Sequence, residues 1–351
     1  MNCAMLVHEY RSLRELAGQS SAWWEDVLGV VGFGPPPHLG RARIPVTGSM
    51  TPVLGADGAL CEVWRVAGSE PARFATRSGA NGAVQYRHCD KYLFGSLTIA
   101  EQGFLADGAA SASAALRQAT ERAYQDIFDV LRATGYEHLI RVWNYLPDIN
   151  ADADGDERYR HFNSARLAAF VKSGQAIAGS VPAASALGSA AGNPLSIYFL
   201  AARHRPTMIE NPRQLSAYHY PPQYGRHQPI FSRACVLGGA GGTNLFVSGT
   251  ASIVGHETIH PGDVKAQTQE ALVNIDALLR EANRLDEAPP YKLDGLCFKV
   301  YVRRPGDLPA IQDAMADRIG SAVQAVYLRA DVCRQDLLVE IEATGRTAEE
   351  R

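Results

Sequence analysis

Glu340 and Glu342 stand two residues apart in the C-terminal stretch 331–342, which reads Asp-Val-Cys-Arg-Gln-Asp-Leu-Leu-Val-Glu-Ile-Glu. The alternation predicts a strand whose period of two turns Leu337, Val339 and Ile341 toward one face and Leu338, Glu340 and Glu342 toward the other. Two environments suit that second face. It is either a solvated outer surface, the commoner case for an alternating strand, or a pocket in which Glu340 works as a general acid/base. Strand pattern alone leaves both open.

Other stretches with chemical potential are less specific. Gly32-Phe33-Gly34 has the look of a phosphate loop, but Pro35-Pro36-Pro37 follows it where a helix would have to open. Asp152-Ala153-Asp154-Gly155-Asp156 alternates acids as a calcium loop does, yet lacks the terminal Glu and full spacing of an EF-hand, which favours a solvated loop. Segment 210–225 has no helix or strand period and carries Tyr218, His219, Tyr220, Tyr224 and Arg213. Such a loop walls a polar ligand pocket or packs its rings on proline. The six cysteines lie far apart with no Cys-x-x-Cys pair, which argues against a structural zinc site and a disulfide framework and points to a reducing cytoplasm.

The elements that must position these groups are legible in part. Of the 351 residues 46% are hydrophobic and 20% charged, which is ordinary for a soluble globular chain. A net charge of -3 without a basic block gives no footprint for nucleic acid, and no apolar run is long enough to span a membrane. Strands are expected at 27–34, 60–66, 83–87, 91–99, 138–146, 195–202, 245–252, 296–303 and 325–328. Helices are expected at 111–134, where Leu116, Ala119, Ala123, Ile127 and Leu131 keep helical spacing and Gly135 ends the run, and at 159–173, 263–283 and 308–319. Residues 188–192 read as a small-residue loop, and residues 1–60 show little pattern beyond the 27–34 run. The expected organisation is an N-terminal α+β half over 1–205, a connecting aromatic loop over 206–235 and a C-terminal half over 236–351.

The C-terminal half resembles the RidA/YjgF-like fold. Phe246-Val247-Ser248-Gly249, the helix bearing Gln267, Glu270, Asn274 and Leu279, Lys299-Val300-Tyr301-Val302 and Val339-Glu340-Ile341-Glu342 all fall in that family's order. The arginine with which its imine hydrolases hold a substrate carboxylate would fall near Ala325 and is missing, which disfavours imine deamination. The chain as a whole resembles the chorismatases from about residue 141 to 342. The resemblance rests on Arg141-Val142-Trp143-Asn144, Tyr159-Arg160-x-Phe162-Asn163-x-x-Arg166, Glu210-Asn211-Pro212-Arg213-Gln214, Ala217-Tyr218-His219-Tyr220-Pro221, the run Ser248 to Glu257, and Asp331-Val332-Cys333-Arg334. It implies an α+β chain of two RidA/YjgF-like (chorismate-mutase-like) α/β halves, with mixed sheets and helices packed on one face of each.

The resemblance also implies chemistry. Chorismate is a dianion with a ring carboxylate, an enolpyruvyl ether bearing a second carboxylate, and a neighbouring ring hydroxyl. Carboxylates call for arginine forks, and Arg141, Arg166 and Arg303 are the candidates, with Tyr218 able to bind a carboxylate or the ether oxygen. Cleavage puts a proton on the enolpyruvyl methylene, so the Glu matching the family's water-activating position, Glu340, must stay protonated near neutrality. Burial supplies that tuning. The aromatising branch, which gives 3-hydroxybenzoate and pyruvate without consuming water, is associated with Gly at position 249 and Cys at position 333. Both residues are present.

Cys333 is either an assistant in ring opening or a small buried hydrophobe. It lies an odd number of residues from Glu340, so both can reach one ligand only if a bulge or bend intervenes near 334–336. No cofactor or metal is called for. Alternative outcomes are release of both 3- and 4-hydroxybenzoate, hydrolysis to a dihydroxycyclohexadiene carboxylate, or binding of an aromatic acid without turnover. Two related halves in one chain can supply an internal interface, which makes a monomer the first expectation and a homotrimer the second.

Overall fold

The computed structural model describes residues 5–41, 43–55, 59–67, 75–78, 84–239, 242–285 and 290–347. Its first sheet holds β1 (Met5–Ser12), β2 (Val27–Gly32), β3 (Val46–Gly48) and β4 (Leu60–Ala67), in the order β1-β4-β2-β3. A second unit runs β5 (Ala75–Ser78), β6 (Gln85–His88), β7 (Tyr92–Ile99), α1 (Ala112–Thr134), β8 (His138–Pro147), α2 (Arg158–Lys172), β9 (Ala183–Ser189) and β10 (Leu195–Ala202). The third runs β11 (Thr207–Ile209), β12 (Ala234–Gly239), β13 (Gly242–Thr250), α3 (Val264–Ala282), β14 (Cys297–Val302), α4 (Leu308–Ile319), β15 (Gln324–Arg329) and β16 (Val339–Thr347).

The second and third units share one topology. Their sheets have the orders β9-β8-β10-β7-β6-β5 and β15-β14-β16-β13-β12-β11, each with a single parallel pair, β8 with β9 and β14 with β15. In both, the helix that follows the third strand and the helix that precedes the fifth cover the same face. Leu116, Ile127 and Phe128 of α1 pack with Val142, Ile197 and Phe199. Leu272 and Ile275 of α3, with Ile311 of α4, pack with Val300, Val339 and Ile341. The expected helical periodicity of α1 is therefore its buried face. Ser111 caps its start by accepting from Ala114 N, and Gly135 closes it at φ +70°, a left-handed conformation that glycine adopts without strain.

The helix-free faces of both sheets turn toward each other and toward the first sheet. Trp64, Trp143, Tyr198, Phe246 and Tyr301 meet there. Charged groups are buried among them. Lys299 Nζ on β14 lies 2.8 Å from Glu62 Oε2 on β4 and 3.0 Å from Glu342 Oε1 on β16, and Arg141 on β8 pairs with the other oxygen of Glu342. Tyr198 donates to Glu62 at 2.7 Å, while Tyr301 and Trp143 Nε1 each donate to Glu342 Oε1 at 2.9 Å. All three sheets thus meet in one hydrogen-bonded ionic cluster.

Several sequence expectations need correction. The terminal strand begins at Val339 and continues to Thr347, while 331–338 forms a turn with a lone bridge from Asp331 to Gly188. Gly188 and Ser189 are not loop but the end of β9. A Cβ on Gly188 would sit 2.5 Å from Ile149 and 2.6 Å from Asp331, so small residues there reflect close backbone approach. Residues 1–60 contain β1 and β3, which the pattern did not reveal. At the ends of the expected connecting loop, β11 and β12 pair with each other and belong to the C-terminal sheet.

Lys299→Met leaves Glu62 and Glu342 buried without their shared cation. Removing one partner of a buried ion pair costs about 3–5 kcal/mol. The expected outcome is a large drop in the guanidinium unfolding midpoint, and an unchanged midpoint would refute the role assigned to the cluster.

Candidate active site

On β16 the inner face carries both carboxylates, because Val339, Ile341 and Ala343 point into the helix-side core. Opposite them β13 carries an extra residue. Val247 pairs with Ala343 and Thr250 with Ile341, so Ser248 and Gly249 together oppose Glu342 alone, a β-bulge. The bulge brings the Gly249 backbone under the Glu340 carboxyl. A Cβ on Gly249 would lie 1.8 Å from Glu340 Oε1 and 3.0 Å from Ser185 Oγ. Only glycine leaves the carboxyl where it is.

The two carboxyls have opposite electrostatic settings. Burial would raise the pKa of Glu342, but Lys299, Arg141 and a 2.7 Å hydrogen bond from Ser185 outweigh it and hold the group below its ordinary value, so it is ionised. Glu340, 4% exposed, is pushed up to about 8, chiefly by burial and next by the neighbouring Glu342 charge. It is a carboxylic acid at neutral pH. Cys333 is likewise pushed up to about 12, by burial first and the nearby Glu340 second, and is therefore a neutral thiol.

Glu340, Gly249, Cys333, Tyr159, Pro229 and Phe231 line two adjoining chambers. An inner one of about 40 Å³ reaches Arg166, Asn163, Ser185 and Asn144. An outer one of about 260 Å³ is walled by Tyr220, Tyr224, Arg233 and Arg334. The bend needed to bring Cys333 and Glu340 together is the turn at 333–336. It is held by side chains. Arg303 donates to Leu337 O (2.7 Å), Val332 O (2.9 Å), Arg334 O (2.8 Å) and Asp331 Oδ1 (2.7 Å), while Gln267 donates to Asp336 O (2.9 Å) and accepts from Leu338 N (2.8 Å).

The structure therefore separates the residues singled out from sequence. Glu340, Cys333, Gly249 and Arg166 line the chambers. Arg303 does not. Its guanidinium clamps the turn. Arg141 lies one layer behind, bonded to Ser185 at 2.5 Å and paired with Glu342. Tyr218 packs against the core of the second unit, edge-on to His219, and does not line either chamber.

Asn163, Tyr159, Arg233 and Arg334 were missed as site residues. Tyr159, Asn163 and Arg166 recur at i, i+4 and i+7 of α2, a one-face spacing that marks a shared surface. Arg233 follows the aromatic loop with no periodic signal. The Glu210-to-Gln214 motif has a supporting task instead. Asn211 donates to Asn274 O at 2.9 Å, and Asn274 holds the carbonyls of Ala251 and Ile253 beside the bulge. Among the described residues no group of three His, Cys, Asp or Glu is placed to hold a metal, and no helix is long and apolar enough to cross a membrane.

The chain is similar to known proteins over most of its length. Residues 62–201 match the family model described as chorismatase FkbO/Hyg5-like, N-terminal. A chorismatase of Streptomyces hygroscopicus is 40% identical over 291 residues, 82% of this chain and 79% of that one. A 3-hydroxybenzoate synthase of the same organism is 39% identical over 274 residues, 75% of this chain and 76% of its own. A chorismatase crystal structure superposes with a TM-score of 0.83 at 32% identity, covering 98% of this chain and 99% of that one. With relatives this similar over most of both lengths and a shared α+β architecture, the chain belongs to the chorismatase family.

Proposed function

We propose that this protein is an enzyme that converts chorismate to 3-hydroxybenzoate and pyruvate. The observation that carries the proposal is the Glu340 carboxyl, buried and protonated, lying against a glycine backbone in a pocket that also holds a thiol and an arginine.

Glu340 gives its proton to the enolpyruvyl methylene carbon, turning the ether into an oxocarbenium. The C3–O bond then breaks, with the ether oxygen leaving as the ketone of pyruvate. The ring hydroxyl oxygen forms its new bond to C3 and returns its proton to the Glu340 carboxylate. The arene oxide so formed opens, and loss of a ring proton restores aromaticity, so no water is consumed. Cys333, a neutral thiol at the junction of both chambers, serves ring opening by holding or moving a proton rather than as a standing thiolate. Gly249 and Cys333 together favour this route over the hydrolytic one. Arg166 supplies positive charge for a carboxylate.

Incubation with chorismate followed by chromatography gives 3-hydroxybenzoate and pyruvate, and pyruvate accompanied only by a diene diol would count against the aromatising assignment. Because Glu340 must be protonated in the free enzyme, kcat/KM falls as pH rises through about 8. Glu342→Gln removes the adjacent like charge and moves that limb down by on the order of one pH unit, whereas an unmoved limb contradicts the tuning.

Glu340→Gln lowers kcat by about 10²–10⁴-fold without unfolding the protein. The unfolded chain loses the Glu340 proton near 4.5 and the native one near 8, so native stability declines as pH rises between those values. The Gln variant, free of that penalty, melts higher than the parent at pH 8 and the same below 4.5. Gly249→Ala combined with Cys333→Ala forces the acid aside and diverts product toward the diol. An unchanged product ratio argues against position 249 as the selector.

A further inference from the structure

The period of two along β14 brings a thiol to the inner face of the third sheet. Phe298, Val300 and Val302 enter the helix-side core, so Cys297, Lys299 and Tyr301 turn the other way. Lys299 and Tyr301 join the ionic cluster, whereas Cys297, the first residue of the strand, is partly exposed. β1 brings His8 to the same place. Both residues line a cavity of about 10 Å³ between the first and third sheets.

The His8 ring is held on three sides. It lies against Trp64 with ring centres 4.6 Å apart, stands edge-on to Tyr10 at 4.9 Å, and has a side chain only 6% exposed. Its Nε2 is 3.0 Å from Glu62 Oε1. Glu62, held at about 2, is an ionised carboxylate that can only accept, so Nε2 carries the hydrogen and the neutral ring keeps its lone pair on Nδ1. That Nδ1 is buried and completes no hydrogen bond. Burial would lower the pKa of His8, but the neighbouring Cys297 thiol and Glu62 carboxylate outweigh it and raise the group above its ordinary value.

The remaining polar groups around the cavity are already engaged. Tyr10 donates to Phe298 O at 3.2 Å, Lys299 is shared by Glu62 and Glu342, and Arg141 pairs with Glu342. Cys297 Sγ lies 3.1 Å from Gln324 Oε1 on β15, which leaves Nδ1 as the basic nitrogen within its reach. Thiol, imidazole and carboxylate thus stand in a row as nucleophile, base and orienting group. The space beside them holds about one water-sized atom, too little for an organic substrate. It suits a reaction that adds a single oxygen to sulfur.

We propose that Cys297 is a modification site at which hydrogen peroxide oxidises the thiol to a sulfenic acid, with His8 as the base. Proton transfer from Sγ to Nδ1 leaves a thiolate beside an imidazolium. The sulfur attacks one peroxide oxygen and the O–O bond breaks. The other oxygen takes the proton from Nδ1 and departs as water, so one electron pair passes from sulfur to the peroxide. The new S–O–H fills the cavity and donates to Nδ1, giving that nitrogen the partner it lacks.

The test exposes the full chain to hydrogen peroxide at neutral pH, traps sulfenic acid with dimedone and follows each cysteine peptide by mass spectrometry. Cys333, a neutral thiol pushed up to about 12, is the internal reference and glutathione the external one. The expected result is an adduct at Cys297 that forms about tenfold or more faster than at either reference, and a loss of on the order of 10²-fold in that rate in His8→Phe. Phenylalanine keeps a ring against Trp64 but removes the base. An unchanged rate in a folded His8→Phe protein overturns the proposal. If melting curves show that the variant does not fold, the parent decides alone, since a Cys297 rate no faster than that of glutathione overturns it as well. The readout is independent of chorismate turnover.

Discussion

An ionised carboxylate buried two residues from a protonated one is the constraint on which this structure turns. Glu342 can keep its charge in the interior because Lys299, Arg141, Trp143, Tyr301 and Ser185 all point at it. Lys299 is shared with Glu62, itself held near 2 because Lys299 and His8 overcome the effect of burial. A buried ion pair seldom adds stability over an apolar core, since desolvation consumes most of the Coulombic gain. Its value here lies in consequence. The fixed charge at Glu342 adds to burial in keeping Glu340 protonated, and the cations that hold Glu342 come from strands of different sheets. The same contacts therefore fasten the sheets together and set the protonation of the acid.

The repeated topology explains why one site rather than two results. β10 occupies in the second sheet the place that β16 occupies in the third, but its inward residues are Ser196, Tyr198 and Leu200 where β16 presents Glu340 and Glu342. Tyr198 donates its hydroxyl to Glu62, so that position serves the cluster and not a cavity. The surviving site draws its acid and its bulged glycine from the third sheet, and its arginine, asparagine and Ser185 from the second. Neither unit holds the pocket alone. Gly188 and Asp331, which exchange backbone hydrogen bonds at 2.7 and 3.1 Å, join the two units beside it.

Elements with strong periodicity were legible in the sequence because their packing is one-sided. α1 and α3 each bury an apolar stripe against a sheet, and β7, β8 and β10 are almost continuously buried. Elements that face the ionic cluster were not legible. β1 carries His8 and Tyr10 inward, where they meet Glu62 and Trp64, so its pattern resembles no half-buried strand. β9 reads Ala-Ala-Ser-Ala-Leu-Gly-Ser, since close approach of other backbones excludes the branched residues by which strands are usually known. Among site residues, Glu340, Cys333 and Gly249 could be placed by family resemblance, whereas the arginines could not. Whether a guanidinium lines a chamber, pairs with a carboxylate of the core or clamps a set of carbonyls depends on neighbours far away in sequence, and Arg166, Arg141 and Arg303 each do one of these.

The turn at 331–338 shows how such a distant decision shapes the site. Its sequence alternates as a strand would, and an uninterrupted strand would place Cys333 and Glu340 on opposite faces. A strand satisfies its backbone by pairing with a neighbour, but here side chains reach those groups first. Arg303 occupies the carbonyls of Val332, Arg334 and Leu337, and Gln267 takes the Asp336 carbonyl and the Leu338 amide. With these groups already paired, ending the ladder at Val339 leaves no polar cost in the turn. The chain is then free to fold back until the thiol stands over the carboxyl. Arg303 and Gln267 touch neither chamber, yet without their hydrogen bonds the acid and the thiol would not share one.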